Sequence, residues 1–388
     1  MPRQLTLVAA IAAFGFLGAC NRGSAAGAPA PASQGPRAGD DGKTPFAIAE
    51  VATFDEPWAL ASLPDGRMLV TEKKGHLQLV DTGGQKREVA GVPKISYGGQ
   101  GGLGDVVLHP QFARNHLVYL SYAEAGQGPL RGAAVARGKL VEDARGARLE
   151  GVQVIWRQVP KIDGGGHFGH RLKFGADGKL WISSGERQQF DPAQDMAVNL
   201  GKVLRLDDDG RVPADNPFAA QGGVTAQVWT LGHRNPLGLD FAPNGQLWEL
   251  EMGPAGGDEL NRIVRGANYG WPRVSEGMHY DGRKIPNHAS NPSYKAPAIS
   301  WTPVIAPGDF IFYIGKQFPA WKGDAIIAGM KSEGLVRVHI NGESAREVAR
   351  YPMGHRIREV DQAADGALLV LEDGTPARLL KLTGQPTK

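Results

Sequence analysis

Short runs of alternating apolar and polar residues, each introduced by the same kind of turn, organise this chain. A Pro or Ala precedes Asp-Gly or Asn-Gly, and a strand-like run follows. The phrase occurs as Leu63–Glu72, Gly175–Ser184, Ala242–Leu250 and Ala364–Leu371. Both residues of Asp-Gly and Asn-Gly tolerate positive φ, so flanking β-formers predict tight hairpins. Two weaker copies, His109–Ser121 and Phe318–Ala328, fall between them. The turns centre near Asp65, Asn115, Asp177, Asn244, Gly323 and Asp365, at intervals of roughly 40 to 80 residues, one propeller blade plus inserts. Six such units predict an all-β fold, a six-bladed β-propeller, whose radial closure leaves only short protected edges. A β-sandwich is the alternative, but it rarely repeats one hairpin phrase so often. No stretch carries the period of a long amphipathic helix.

Composition agrees with a turn-rich chain. The 388 residues suffice for one large all-β domain or two ordinary ones, and 54 Gly and 27 Pro accompany only 21% charged residues. A net charge of +3 with both signs interspersed argues against a nucleic-acid partner. Cys20 is the only cysteine, which excludes an internal disulfide. Its surroundings explain it. Arg3 and the apolar run Leu5–Leu17 lead into Leu17-Gly18-Ala19-Cys20, which resembles a bacterial lipobox, an ordinary signal peptide being the alternative. Residues 1–19 are expected to be a lipoprotein signal peptide, with acyl chains on Cys20 as a membrane anchor. Asn21 in place of Asp resembles outer-membrane sorting and implies the periplasmic side of a bacterial envelope. Residues 20–44, rich in Ala, Gly, Pro, Ser and Gln, read as a flexible tether, and residues 45–385 as the propeller domain.

Unusual chemistry gathers in Val228–Pro272, around a strand-like core at Gln246–Leu250. Before the core, Gly232–Pro236 places Arg234 beside Asn235 in a turn. After it, the carbonyls of Gly253 and Pro254 suit a hard cation such as calcium, with Asp258 and Glu259 behind them. The plain alternative is a charged surface hairpin. In Tyr97–Gly104, Gln100 sits in a loop almost free of side chains, suited to close approach of a flat ligand or else a floppy connector; no Lys-Ser/Thr follows, so it is not a Walker loop. The glycines before His167, at residues 164–166, present that ring at a loop tip as a candidate base, with Glu186 returning to orient it. His167 and His170 at i, i+3 are alternatively metal ligands, or simply solvated. Lys331, Arg356 and Arg358 join Arg234 as cations for a polyanionic ligand, the two late arginines pointing to one side of an extended segment; ordinary surface charge is the plainer reading.

Taken together, Gly232–Gly245, the Gly253-Pro254…Asp258-Glu259-x-Asn261 turn and Gly266–Pro272 resemble the soluble quinoprotein glucose and aldose sugar dehydrogenases, which use pyrroloquinoline quinone (PQQ). The resemblance spans Pro45–Leu382 and implies a six-bladed propeller that oxidises aldoses at C1 to lactones. It implies His167 as the base and a cofactor contact, Glu186 as its acidic partner, and Arg234 and Asn235 on the quinone, with Arg234 polarising the carbonyl at its hydride-accepting end. Gln100, Lys331, Arg356 and Arg358 would be further PQQ contacts. The carbonyls of Gly253 and Pro254 would bind Ca2+, with Asp258 supporting them. An aldose substrate, an unidentified electron acceptor and a homodimer are the implied partners; the insert 276–298 would shape the mouth of the site. Two rivals remain: a calcium-dependent lactonase-type propeller, and a non-enzymatic propeller that binds glycans or proteins.

Overall fold

The computed structural model describes residues 44–385; Cys20, the signal segment and most of the tether lie outside them. Strand β1 (Phe46–Phe54) opens the described chain. Blade 1 follows as β2 (Pro57–Ser62), β3 (Met68–Glu72), β4 (His76–Val80) and β5 (Lys86–Ala90), and blade 2 as β6 (Leu103–Leu108), β7 (Leu117–Ala125), β8 (Arg131–Asp143) and β9 (Gly146–Arg157). Blade 3 is β10 (Gly169–Phe174), β11 (Leu180–Ser184), β12 (Lys202–Leu206) and β13 (Val228–Leu231); blade 4 is β14 (Pro236–Phe241), β15 (Leu247–Glu251), β16 (Asp258–Arg262) and β17 (Ile299–Trp301). Blade 5 is β18 (Pro307–Phe312), β19 (Ala325–Gly329), β20 (Gly334–Asn341) and β21 (Ser344–Pro352). Blade 6 takes β22 (Ile357–Gln362), β23 (Leu368–Glu372) and β24 (Ala377–Gly384) and completes itself with β1, so the two ends of the described chain close the ring.

Each blade is an antiparallel four-stranded sheet. The outer strands of blades 1 and 2 also pair in parallel, Val89 with Ala147 and Ala90 with Arg148, which covers two exposed edges. All six copies of the repeated turn fall in the same place, between a blade's first and second strands. Those first strands contact one another in a closed circuit, β2 to β6, β10, β14, β18, β22 and back to β2. Among the described residues the only α-helix is the single turn Phe112–Asn115.

The middle strands are apolar on both sides because both sides are buried. In β19, Ile326 and Ala328 pack toward blade 6 while Ala325 and Ile327 pack toward blade 4. In β3, Leu69 faces blade 2, and Met68 and Val70 face blade 6. Period-2 alternation thus sends residues into two different inter-blade cores. Among the described residues six such cores form, one between every neighbouring pair of blades. The predicted strand Gln246–Leu250 is shifted by one residue: β15 ends at Glu251, which continues the ladder opposite Glu259, and Gln246 stays in the turn.

Arg171, on β10, is buried at the centre of the ring. Its Nε donates to Leu237 O of blade 4 (2.8 Å) and Nη2 to Gly308 O of blade 5 (3.1 Å). Its charge faces Asp105 of blade 2 (3.3 Å), Asp309 of blade 5 (3.3 Å) and Glu359 of blade 6 (2.8 Å). The guanidinium carbon lies 4.3 Å from the ring centre of Trp58 of blade 1. One side chain of blade 3 therefore touches the other five blades. Burial opposes its charge, but the three carboxyl groups hold it protonated. Burial in turn pushes Asp309 up to about 7 and Glu359 well above the usual carboxylate range.

Replacing Arg171 with Met leaves those carboxyl groups buried without a cation, a change that costs about 3–5 kcal/mol. Urea unfolding should show that loss at pH 8 and a smaller loss at pH 5, where Asp309 and Glu359, both raised by burial, are protonated and need no cation. Equal stability of Arg171→Met and the native chain at pH 8 would refute the axial role.

Candidate active site

The glycine run Gly164–Gly166 delivers His167 to one rim of the ring's face. The imidazole is 6% exposed, not displayed at a loop tip, because backbone with no side chains lets the loop fold down onto blade 3. Its Nδ1 contacts the Glu186 carboxylate closely, and the other Glu186 oxygen accepts from Phe190 N–H (2.6 Å). Glu186 lies two residues beyond the end of β11 and is fully buried. Burial is the main cause that lowers the His167 pKa below 6.5; Glu186 opposes it, and Arg234 and Arg187 reinforce it. The ring is therefore neutral at pH 7. With Glu186 accepting at Nδ1, the network assigns that proton to Nδ1 and leaves Nε2 as a free acceptor. No protein group hydrogen-bonds Nε2 among the described residues.

His170 does something else. It is buried, its Nδ1 meets Ser121 Oγ at 2.8 Å, and its ring stacks on Trp58 at 5.1 Å. Burial pushes its pKa down to about 3. The two histidines turn to different partners, so the i, i+3 metal pair does not form. Gly104 is needed here: a Cβ on it would lie 1.9 Å from the His170 ring. The loop Tyr97–Gly104 is likewise no loose connector. Gln100 Oε1 accepts the His167 N–H (2.7 Å), and Gln100 N–H donates to Gly165 O (2.7 Å).

Beside this loop opens a cavity of about 320 Å³, floored by Trp58 and His170 and walled by Gln100, Asn235, Met252 and Met330. Three cations line it, Lys73, Arg356 and Arg358, and among the described residues no carboxylate does. Arg356 and Arg358 both grip Asp373, through Nε at 2.8 Å and 3.0 Å. Burial works against the Asp373 charge, but the two arginines hold its carboxyl below the usual range. Asn235 Oδ1 is buried without a partner. The space suits a flat polyanion that can also donate to an amide oxygen.

Arg234 runs along the adjoining wall. Nη1 donates to Met252 O (3.0 Å) and Gly253 O (2.7 Å), and Nη2 to the Tyr280 hydroxyl (3.2 Å). Gly253 and Pro254 line a much smaller cavity of about 10 Å³, room for about one water or ion, together with Glu251 and Glu259. Hard oxygen donors suited to calcium are therefore present, although Arg234 already engages the Gly253 carbonyl. Asp258 is spent on backbone: Oδ1 accepts from Gly253 N–H (2.9 Å), Oδ2 from Ile305 (2.8 Å) and Ala306 (2.7 Å). Burial pushes it up to about 6, against those three donors. Behind the turn, Glu251 Oε2 accepts the N–H groups of Arg234 (2.5 Å) and Asn235 (3.3 Å). His233, Glu249 and Glu251 bring ligand atoms within 4.8 Å of one another, all buried.

The structure thus brings Gln100, Asn235, Arg356 and Arg358 to one cavity. His167 and Arg234 are not in its lining but adjoin residues that are, His167 through Phe168 and its N–H bond to Gln100, Arg234 through Asn235. Lys331 is exposed and its side chain makes no hydrogen bond or ion pair among the described residues; it follows Met330, which does line the cavity. The lysine in the lining is Lys73, which no turn or motif marked. Trp58, Asp373 and Glu251 also escaped the sequence reading. Only Glu251 left a trace there, as the second Glu of an i, i+2 pair with Glu249 on a buried strand.

Comparison with known proteins finds relatives that match most of the chain. The family model described as "Glucose / Sorbosone dehydrogenase" matches residues 54–381. The chain is 39% identical over 337 residues to aldose sugar dehydrogenase YliI of Escherichia coli (strain K12), covering 85% of this chain and 90% of that protein. The crystal structure of the soluble aldose sugar dehydrogenase from Escherichia coli in its apo form superposes with a TM-score of 0.82 at 36% identity, over 88% of this chain and 100% of that one. The PQQ-bound aldose sugar dehydrogenase from Streptomyces coelicolor superposes at 0.72 with 28% identity, over 87% and 98%.

A Glu186→Gln variant tests the histidine geometry without any ligand. It removes the partner that raises the His167 pKa, so the imidazole should titrate at still lower pH than in the native protein. Ring-nitrogen NMR chemical shifts across pH 4–8 read this, about the range in which histidines titrate. An upward shift would contradict the assignment of Glu186 as the opposing charge.

Proposed function

The chain belongs to the glucose/sorbosone dehydrogenase family, and from that premise we propose that it oxidises aldose sugars at C1 to the lactone, with His167 as the base and calcium at the Gly253–Pro254 turn. It is a PQQ-dependent sugar dehydrogenase. One observation carries the mechanistic reading: a carboxylate-anchored imidazole adjoins, through Phe168 and Gln100, a cavity lined by three cations and, among the described residues, by no acid.

When bound, PQQ supplies the acceptor for the C1 hydride, and calcium the Lewis acid that polarises the quinone. Arg356, Arg358 and Lys73 would hold the cofactor's carboxylates, with Lys331 at the rim. Asn235, whose buried Oδ1 lacks a partner, would accept from the cofactor, and Gln100 would close its edge. The carbonyls of Gly253 and Pro254 would hold calcium at the turn, the Gly253 oxygen being the one that Arg234 Nη1 engages in the absence of the ion. Arg234 would face the quinone. His167 Nε2 takes the proton of the anomeric hydroxyl, while Glu186 keeps Nδ1–H oriented and stabilises the imidazolium that forms. The electrons leave to an acceptor in the same compartment. We extend the proposal to location: lipid on Cys20 tethers the enzyme to the outer membrane, facing the periplasm.

Apo protein should show no dye-linked aldose oxidation until PQQ and calcium are both added. Lactone hydrolysis without PQQ would overturn the reading in favour of a lactonase. His167→Gln should lower kcat about 100- to 10,000-fold while PQQ still binds. Arg358→Met should do the reverse, raising the PQQ Kd about 10- to 100-fold, the loss of a charged hydrogen bond, with the sugar KM nearly unchanged. For the anchor, Cys20→Ser should move the protein from membrane to soluble fractions; persistence at the membrane would exclude lipidation there.

A further inference from the structure

We propose that Arg187 is a positioning residue for this reaction: its guanidinium locks the glycine run that carries His167 into one conformation. The inference rests on the role of His167 given above. Three consecutive glycines are the most expensive kind of backbone to order, since each can adopt conformations closed to other residues. Yet every carbonyl from Gly164 to His167 is captured. Arg187 Nη2 donates to Gly164 O (2.6 Å) and Nε to Gly166 O (2.8 Å). Gln100 N–H takes Gly165 O (2.7 Å), and the Arg187 backbone N–H takes His167 O (3.2 Å). Nη1 reaches across to Arg131 O of blade 2 (2.8 Å), so the clamp is anchored on two blades.

The side chain is placed for this task and for little else. Arg187 is 1% exposed, its guanidinium carbon lies 3.6 Å from the centre of the Phe168 ring, and among the described residues no carboxylate forms an ion pair with it. A buried arginine that spends its donors on loop carbonyls is holding backbone, not balancing an acid. Its own backbone is strained, with φ of 63°, followed by Gln188 at 60°, and strain of this kind collects at sites that need an imposed geometry. The same cation stands near the imidazole. The charged groups facing His167 are Glu186, Arg234 and Arg187, and those facing Arg187 itself are Arg131, Glu186 and Asp163. Removing Arg187 therefore both frees the loop and withdraws one of two cations that disfavour the protonated base.

The test uses Arg187→Met and Arg187→Lys in full-length protein. In the PQQ- and calcium-loaded enzyme, Arg187→Met should lower kcat about 10- to 100-fold, the scale of a small misplacement of a catalytic group. Its PQQ affinity should stay native, and the acid limb of kcat/KM should move to higher pH. Arg187→Lys keeps the charge but not the fork, so it should keep the native acid limb and still lose kcat. Native kcat in Arg187→Lys would overturn the proposal, as would a fall in PQQ affinity matching the fall in kcat in either variant. If Arg187→Met does not fold, the lysine variant decides. Hydrogen exchange of the 163–168 amides in the apo protein is the independent reading: it should speed up in Arg187→Lys, and unchanged protection would refute the clamp. An inactive native enzyme with PQQ and calcium would count against the function, while the exchange result would still judge the clamp.

Discussion

Arg171 is the interaction on which the ring depends. A propeller has no central core of its own; its apolar layers lie between blades, and the axis is where six first strands meet. Here that meeting point is filled by one guanidinium, bonded to backbone of blades 4 and 5, facing acids of blades 2, 5 and 6, and laid on the tryptophan of blade 1. Buried ion clusters give little net stability compared with well-packed apolar residues. What this one supplies is mutual dependence. Three carboxyl groups from different blades are tolerable in the interior only while Arg171 is between them.

The axial stack also sets the floor of the site. Trp58 lies against Arg171 on one side and stacks with His170, and Trp58 and His170 together face the cavity. A planar, uncharged surface thus separates the acids of the axis from a chamber whose own lining is cationic. The separation has a physical consequence: an anion in the chamber meets Lys73, Arg356 and Arg358, whose acid partners, Glu56 for the lysine and Asp373 for both arginines, stand outside the lining. The loops then add the chemistry to this rigid base. His167, Glu186 and Arg234 all sit just outside strand ends, where backbone geometry is free to vary while the strands hold their roots in place.

Much of this was legible from the chain. The recurring Asp-Gly or Asn-Gly turn marks the first hairpin of four blades. In all six, one turn position takes a positive φ that few residues adopt readily: Gly66, His116, Gly178, Gly245, Gly323 and Gly366. The Asp or Asn before the glycine does not, so the expected pair of positive φ angles is not formed. Gly232–Pro236, Gly253-Pro254 and the glycines before His167 stand out for another local reason: Gly and Pro bare the backbone beside an arginine, an amide or a histidine. For His167 the sequence suggests an exposed ring at a loop tip, and the structure buries it. The glycines permit exposure, but they equally permit the loop to fold inward, and only the carbonyl partners Arg187 and Gln100 select between the two. Lys331 and Lys73 show the other limit. Both are lysines near a turn, and nothing local distinguishes the one that lines the cavity from the one left in solvent.

The sequence by itself therefore determined the all-β class, the number and order of the blades, and which loops carry unusual residues, since these follow from short-range turn chemistry and period-2 patterning. Only the tertiary structure decided that Arg171 joins all six blades, that Asp373 pairs with both arginines, that Glu251 holds the Arg234–Asn235 turn, and that Arg187 restrains His167. Each of those contacts joins residues from different strands or loops, several of them far apart in the chain. Their partners are chosen by where ring closure brings the strand ends, a distance that no local pattern encodes.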